Sequence, residues 1–114
     1  LRIRQPITAV TSILHRISGV LLALAVPIIV YLLGRSLTGP DDYRWVLGLW
    51  DKLFVRVSAV LLLWALAHHL FAGVRYLLLD LHLGTELQQA RTSAWTVHLA
   101  GLAVLVVSAL WVIL

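Results

Sequence analysis

Three long apolar runs dominate this chain. The first extends from Ile17 to Leu33, the second from Leu53 to about Leu79 and the third from Ala94 to Leu114, where no Asp, Glu, Lys or Arg occurs. A helix needs roughly 20 apolar residues to cross the hydrocarbon core of a bilayer. In lipid every backbone polar group must be satisfied internally, and a helix does this within one segment. Three such runs in 114 residues leave only short polar connections. The sequence therefore predicts an all-α integral membrane protein. Residues 1–114 form a single membrane domain with three transmembrane helices at approximately 11–36, 53–80 and 94–114.

Composition agrees and narrows the chemistry. Apolar residues make up 61% of the chain and charged residues only 12%, too little charge to cover a soluble surface. No segment is large enough for a flavin or nucleotide domain. The chain has no cysteine, which excludes disulfides, iron–sulfur ligation and thiolate-bound haem. It has no methionine either, so a His/Met haem is excluded within the chain, and Leu1 is expected to follow residues of a longer natural sequence. A haem held here needs His or, less often, Tyr. The net charge of +4 comes from basic residues scattered beside apolar runs. That pattern is juxtamembrane charge and not the basic stripe of a nucleic-acid binder.

Residues 1–10 are polar and basic, and a helix is expected to start near Thr8 or Thr11, since Thr is a serviceable N-cap. Pro27 lies inside the first run and is expected to kink it, which membrane helices tolerate. The stretch 38–52 reads as the first loop, with the turn signal Thr38-Gly39-Pro40-Asp41-Asp42. Trp45 and Trp50 suit a membrane interface. A second loop covers about 81–92. One side of the membrane receives Arg2, Arg4, Arg16, Arg75 and Arg91, and the other Arg35, Arg44, Lys52 and Arg56. This small excess favours an inside N-terminus.

Polar residues within spans are costly and tend to be functional. Ser12 and Arg16 are four apart and share a helix face, which His15, Gly19 and Ala23 extend. Two readings stay open: Arg16 snorkels to the headgroups while small residues permit close packing, or the stripe lines a polar pocket. In that pocket Arg16 can neutralise an acidic group and Ser12 can hydrogen-bond a carbonyl. In the second span Ala65, His69, Ala72, Gly73 and Tyr76 are placed on one face, with His68 turned about 100° away. The small residues would let a flat macrocycle approach the backbone beside His69. The competing reading is a pair of packing histidines. Ser12, His15 and Arg16 open the first span, and His69 and Arg75 approach the end of the second, so all five occupy one half of the bilayer. His98, early in the third span, reads as structural or interfacial.

At these residues the sequence resembles the large cytochrome b anchor subunit of succinate:quinone oxidoreductase (respiratory complex II). The resemblance is carried by Pro6-Ile7-Thr8-Ala9, by Ser12-Ile13-Leu14-His15-Arg16-Ile17-Ser18-Gly19, and by His69 with Gly73, Arg75 and Asp80. It covers essentially the whole chain. It implies a bundle completed by helices of a partner subunit and a haem b whose iron is bound by His69. His15, Arg16 and Arg75 would lie on the propionate side. The second axial histidine would come from a smaller partner anchor. The resemblance further implies a quinone substrate held by Ser12 and Arg16, with electrons arriving from succinate through a flavoprotein and an iron–sulfur subunit. Tyr76 departs from the family pattern, which often has a second histidine there, and His68 adds an imidazole beside the matching one.

The resulting expectation is a haem-bearing, quinone-linked membrane anchor that is not catalytic alone, in a bacterial inner membrane rather than a mitochondrial one. Its competitors are a haem-free structural anchor, a fumarate reductase subunit, and a cytochrome that pairs His69 with His98 inside one chain. A cation transporter is disfavoured because no acidic residue lies within a span.

Overall fold

The computed structural model describes residues 7–114. It contains α1 (Ile7–Ser36), α2 (Pro40–Gly48), a 3-10 turn (Leu49–Asp51), α3 (Leu53–Asp80) and α4 (Leu87–Ile113). The three long helices are each long and apolar enough to cross a membrane. At about 1.5 Å rise per residue the shortest extends some 40 Å, beyond the roughly 30 Å hydrocarbon core. They pack as an antiparallel bundle within an envelope of 56 × 29 × 28 Å. The middle element α3 touches both α1 and α4 extensively, and α1 meets α4 over a smaller area.

Burial is inverted relative to a soluble protein. The buried positions are small or polar: Ala25, Ala65, Ala72, Ala94 and Val97, with Thr11, Ser18, His68, Arg75 and Ser108. Large aliphatic side chains such as Leu24, Ile28, Leu66, Leu70 and Leu102 point outward. With lipid around it, a helix gains little from hiding leucine. Association rests instead on close backbone approach at small residues and on hydrogen bonds. The buried hydroxyls bond back to their own helices, Thr11 to the Ile7 carbonyl (2.9 Å), Ser18 to that of His15 (2.9 Å) and Ser108 to that of Val104 (2.7 Å). The protons of these three hydroxyls are thereby satisfied within the helices that carry them.

Element boundaries differ from the sequence expectation in three places. α4 begins at Leu87, seven residues before the expected 94, because Leu87-Gln88-Gln89-Ala90-Arg91-Thr92-Ser93 is polar yet made largely of good helix formers. The first loop contains α2, opened by Pro40 at the first helical turn with Asp41 and Asp42 beside the positive end of the helix dipole. α1 already includes Thr8 and runs unbroken through Pro27.

The two ends of the bundle are closed differently. At the α1–α2 corner Arg35 Nε donates to Asp42 Oδ1 (3.1 Å), the Arg35 guanidinium lies 3.6 Å from the Trp45 ring centroid, and the Thr38 hydroxyl donates to Asp42 (2.7 Å). The Thr38 hydroxyl first, and Arg35 second, hold the Asp42 carboxyl below its usual range. At the opposite end α3 stops in a Schellman arrangement, with Leu83 N–H donating to the Leu78 carbonyl and His82 N–H to that of Leu79 (both 2.9 Å). This puts His82 in the left-handed region at φ 59°, where histidine is tolerated better than most residues.

Candidate functional site at the α1–α3 seam

The seam between α1 and α3 is built from two matching His-x3-Gly units, His15/Gly19 and His69/Gly73. Residues four apart stand one above the other on a helix. Because the helices run antiparallel, each histidine meets the other helix's glycine. A Cβ added at Gly19 would lie 3.0 Å from His69 Cε1, and one at Gly73 would lie 3.7 Å from His15 Nε2. The His69 ring thus rests closely on Gly19, where a Cβ would make the ring shift. The interlock brings the two imidazoles face to face, with centroids 4.3 Å apart and planes 2° from parallel. Tyr76 closes the stack edge-on against His15 at 5.2 Å. Both histidines remain partly exposed.

His69 Nδ1 lies 3.2 Å from the His15 carbonyl oxygen and 3.3 Å from Ser18 Oγ. Its Nε2 has no hydrogen-bond partner among the described residues. His68, the next residue, meets the opposite circumstances. It is 1% exposed, its ring is 5.4 Å from that of Trp64 and 5.3 Å from that of His98, and it packs on Gly101 of α4. Neither of its nitrogens has a partner among the described residues. His98 is tied to α1, with Nε2 2.8 Å from Thr11 Oγ1. The Thr11 hydroxyl proton goes to the Ile7 carbonyl, so His98 Nε2–H is the donor.

The expected site residues thus divide. His15 and His69 come together. Ser12 is half-buried near the same end of α1, and Arg16 is exposed, bordering a shallow apolar groove with Ile17, Val20 and Leu21 on the outer surface of α1. Arg75 turns to α4. It is 5% exposed, and its guanidinium donates to Ser93 Oγ (3.0 Å) and to the Ala90 carbonyl (3.2 Å). The expected grouping on α3 also changes. Ala65 and Ala72 share a buried stripe with His68 and Arg75, not with His69. Ala65 and Ala72 stand three residues before and four after His68, which is the helical repeat. The sequence reading missed Ser18 and Thr11 as contributors. Their signal was present in the seven-residue spacing of Thr11, Ser18 and Ala25, the buried stripe of α1.

A concavity of about 940 Å³ lies between α3 and α4 and is lined by residues such as Phe71, Val74, Leu78, Gln88 and Thr92, with Arg75 at its wall. It contains none of Ser12, His15, Arg16 or His69, and its lining is almost wholly apolar. Polar groups converge instead at the histidine seam, which makes it the candidate site.

These features define a class: a three-helix membrane subunit carrying paired histidines at one helix seam. Comparison places it further. Residues 1–109 match the succinate dehydrogenase/fumarate reductase transmembrane subunit family. The chain is 33% identical over 108 residues to the succinate dehydrogenase cytochrome b556 subunit of Coxiella burnetii, covering 94% of this chain and 86% of that one. It is 35% identical over 107 residues to the succinate dehydrogenase cytochrome b556 subunit of Paracoccus denitrificans, covering 91% of this chain and 79% of that one. The chain belongs to this family as a cytochrome b membrane anchor of succinate dehydrogenase.

Proposed function

We propose that the chain binds haem b through His69, docks the iron–sulfur and flavoprotein subunits of succinate dehydrogenase, and contributes Ser12 and Arg16 to a quinone-reduction site. The observation that carries this reading is the state of His69: Nδ1 is held by α1, Nε2 has no partner among the described residues, and the ring rests on Gly19 of α1. A b-type haem accepts and returns single electrons when bound. This chain's part is to hold the iron through His69 Nε2.

A second histidine that would hold the haem would come from a smaller anchor subunit. His15 and His69 are stacked face to face, so the two rings of this chain would not both present a nitrogen to one metal. His98 packs with His68 and Thr11, which argues against an intrachain His69–His98 pair. His68 is enclosed by its own chain and is not the ligand in this reading. Exposed Arg16 is free to meet a propionate or a quinone oxygen, stabilising negative charge as it develops there. The half-buried Ser12 hydroxyl supplies a donor one turn away. In this reading Arg75, bonded to α4, holds the α3–α4 seam rather than meeting a propionate. A multi-pass position in a bacterial inner membrane accords with the bacterial relatives.

The test is haem extracted as the pyridine haemochrome from the purified complex. One b-type haem for each anchor pair is expected. A complex that turns over quinone without any haem would overturn the cytochrome reading and leave a haem-free anchor.

A further inference from the structure

Ser18 Oγ, His69 Nδ1 and the His15 carbonyl oxygen form a triangle with sides of 2.9, 3.2 and 3.3 Å. A carbonyl oxygen has no proton to give. The Ser18 hydroxyl proton therefore goes to that carbonyl, and the proton between the imidazole and the two oxygens sits on Nδ1. This network fixes the Nδ1–H tautomer of His69, with the lone pair on Nε2. None of the other helical histidines is prepared this way. His68 has both nitrogens unpartnered, His98 has its Nε2 proton committed to Thr11, and His15 makes no side-chain hydrogen bond among the described residues.

We infer that the α1 turn from His15 to Gly19 is a positioning device for His69, in which Ser18 and the His15 carbonyl set the tautomer and Gly19 sets the plane of the ring. The inference rests on His69 being the haem ligand. Ser18 and Gly19 touch neither iron nor quinone and act through His69. Two physical effects follow. A ligating imidazole that donates its other N–H to an acceptor becomes a stronger donor to the metal. The Ser18 hydroxyl, by donating to the carbonyl, is itself a better acceptor for Nδ1–H. Together these favour the ferric state. Meanwhile the glycine lets the ring lie against the α1 backbone, where a Cβ would meet Cε1 at 3.0 Å.

The test uses the whole purified complex carrying Ser18→Ala, Ser18→Thr or Gly19→Ala. It reads haem content, the midpoint potential from a redox titration, and the low-spin ferric EPR spectrum. Ser18→Ala is expected to keep its haem with a raised potential, and Ser18→Thr, which restores a hydroxyl, to return it towards the wild-type value. Gly19→Ala is expected to move the EPR g-values, which report ring orientation, with the Ser18 network intact. Wild-type potential and g-values in both Ser18→Ala and Gly19→Ala, alongside haem loss in His69→Ala, would overturn the positioning role and leave the ligand assignment standing. A wild-type complex without a b-type signal would instead overturn the ligand assignment.

Discussion

The two faces of α3 carry adjacent histidines into unlike surroundings. On the α1 side His69 is partly exposed, has its Nδ1 bonded, and lies on glycine. On the α4 side His68 is enclosed by Trp64, His98 and Gly101, with neither nitrogen bonded among the described residues. The two residues differ by one step along a helix, about 100°. Identical side chains at equal depth thus acquire different chemistry from what the neighbouring helix presents. α1 offers a backbone carbonyl and a hydroxyl, while α4 offers aromatic rings and a glycine. In the proposed reading the α1–α3 seam presents a nitrogen, and the α3–α4 seam holds two helices together.

Exchanging the histidines tests this contrast most severely. His69→Ala is expected to abolish haem binding, and His68→Ala to retain it with reduced thermal stability, checked by haem content per assembled complex. Loss of haem from both to the same extent would erase the distinction. Next in size is Arg16→Ala. Removing a donor that meets developing negative charge costs on the order of 100-fold in turnover in other systems. Quinone reduction is therefore expected to fall far more than electron transfer to an artificial dye, and equal loss of both activities would count against the assignment.

The α3–α4 seam is expected to answer in stability. Arg75→Ala removes the donor to Ser93 Oγ and one donor to the Ala90 carbonyl, which keeps the Ser93 hydroxyl. Loss of buried hydrogen bonds of this kind costs about 1–3 kcal/mol, seen as a lowered unfolding temperature of the complex with the haem spectrum unchanged. A changed haem potential in Arg75→Ala would return the residue to the propionate side. The smallest effect belongs to the far end of the bundle. Thr38 and Arg35 hold the Asp42 carboxyl below its usual range. Its stabilising contribution is therefore fully present above the unfolded carboxylate value and is lost as pH falls through the depressed folded value. Asp42→Asn is expected to lower thermal stability slightly at neutral pH, and the difference from wild type to vanish in strong acid. A difference that persists there would point to packing of α2 instead.

Much of this architecture could be read from the chain. The three spans follow from hydrophobicity alone, and the shared depth of His15 and His69 follows from the antiparallel order of the first two. The start of α4 was not legible, because Gln88, Gln89 and Thr92 are polar and hydropathy does not register a helix that continues into the headgroup region. Which helical face meets which neighbour was also hidden. Ala65 and Ala72 fit either the His68 or the His69 stripe, and only the position of α4 decides. Ser18 lay within the motif that carried the resemblance, yet its partner is 51 residues away in sequence and no local pattern points to it. The bonds of Arg75 to Ser93 and Ala90 reach 15 to 18 residues along the chain and could not be read locally either.

The most direct test of the central claim is a reduced-minus-oxidised absorbance spectrum of the purified membrane complex, wild type beside His69→Ala. The account expects a low-spin b-type signal in the wild type that disappears in the assembled variant. A b-type signal of full size in assembled His69→Ala would contradict it and move the ligand to another histidine.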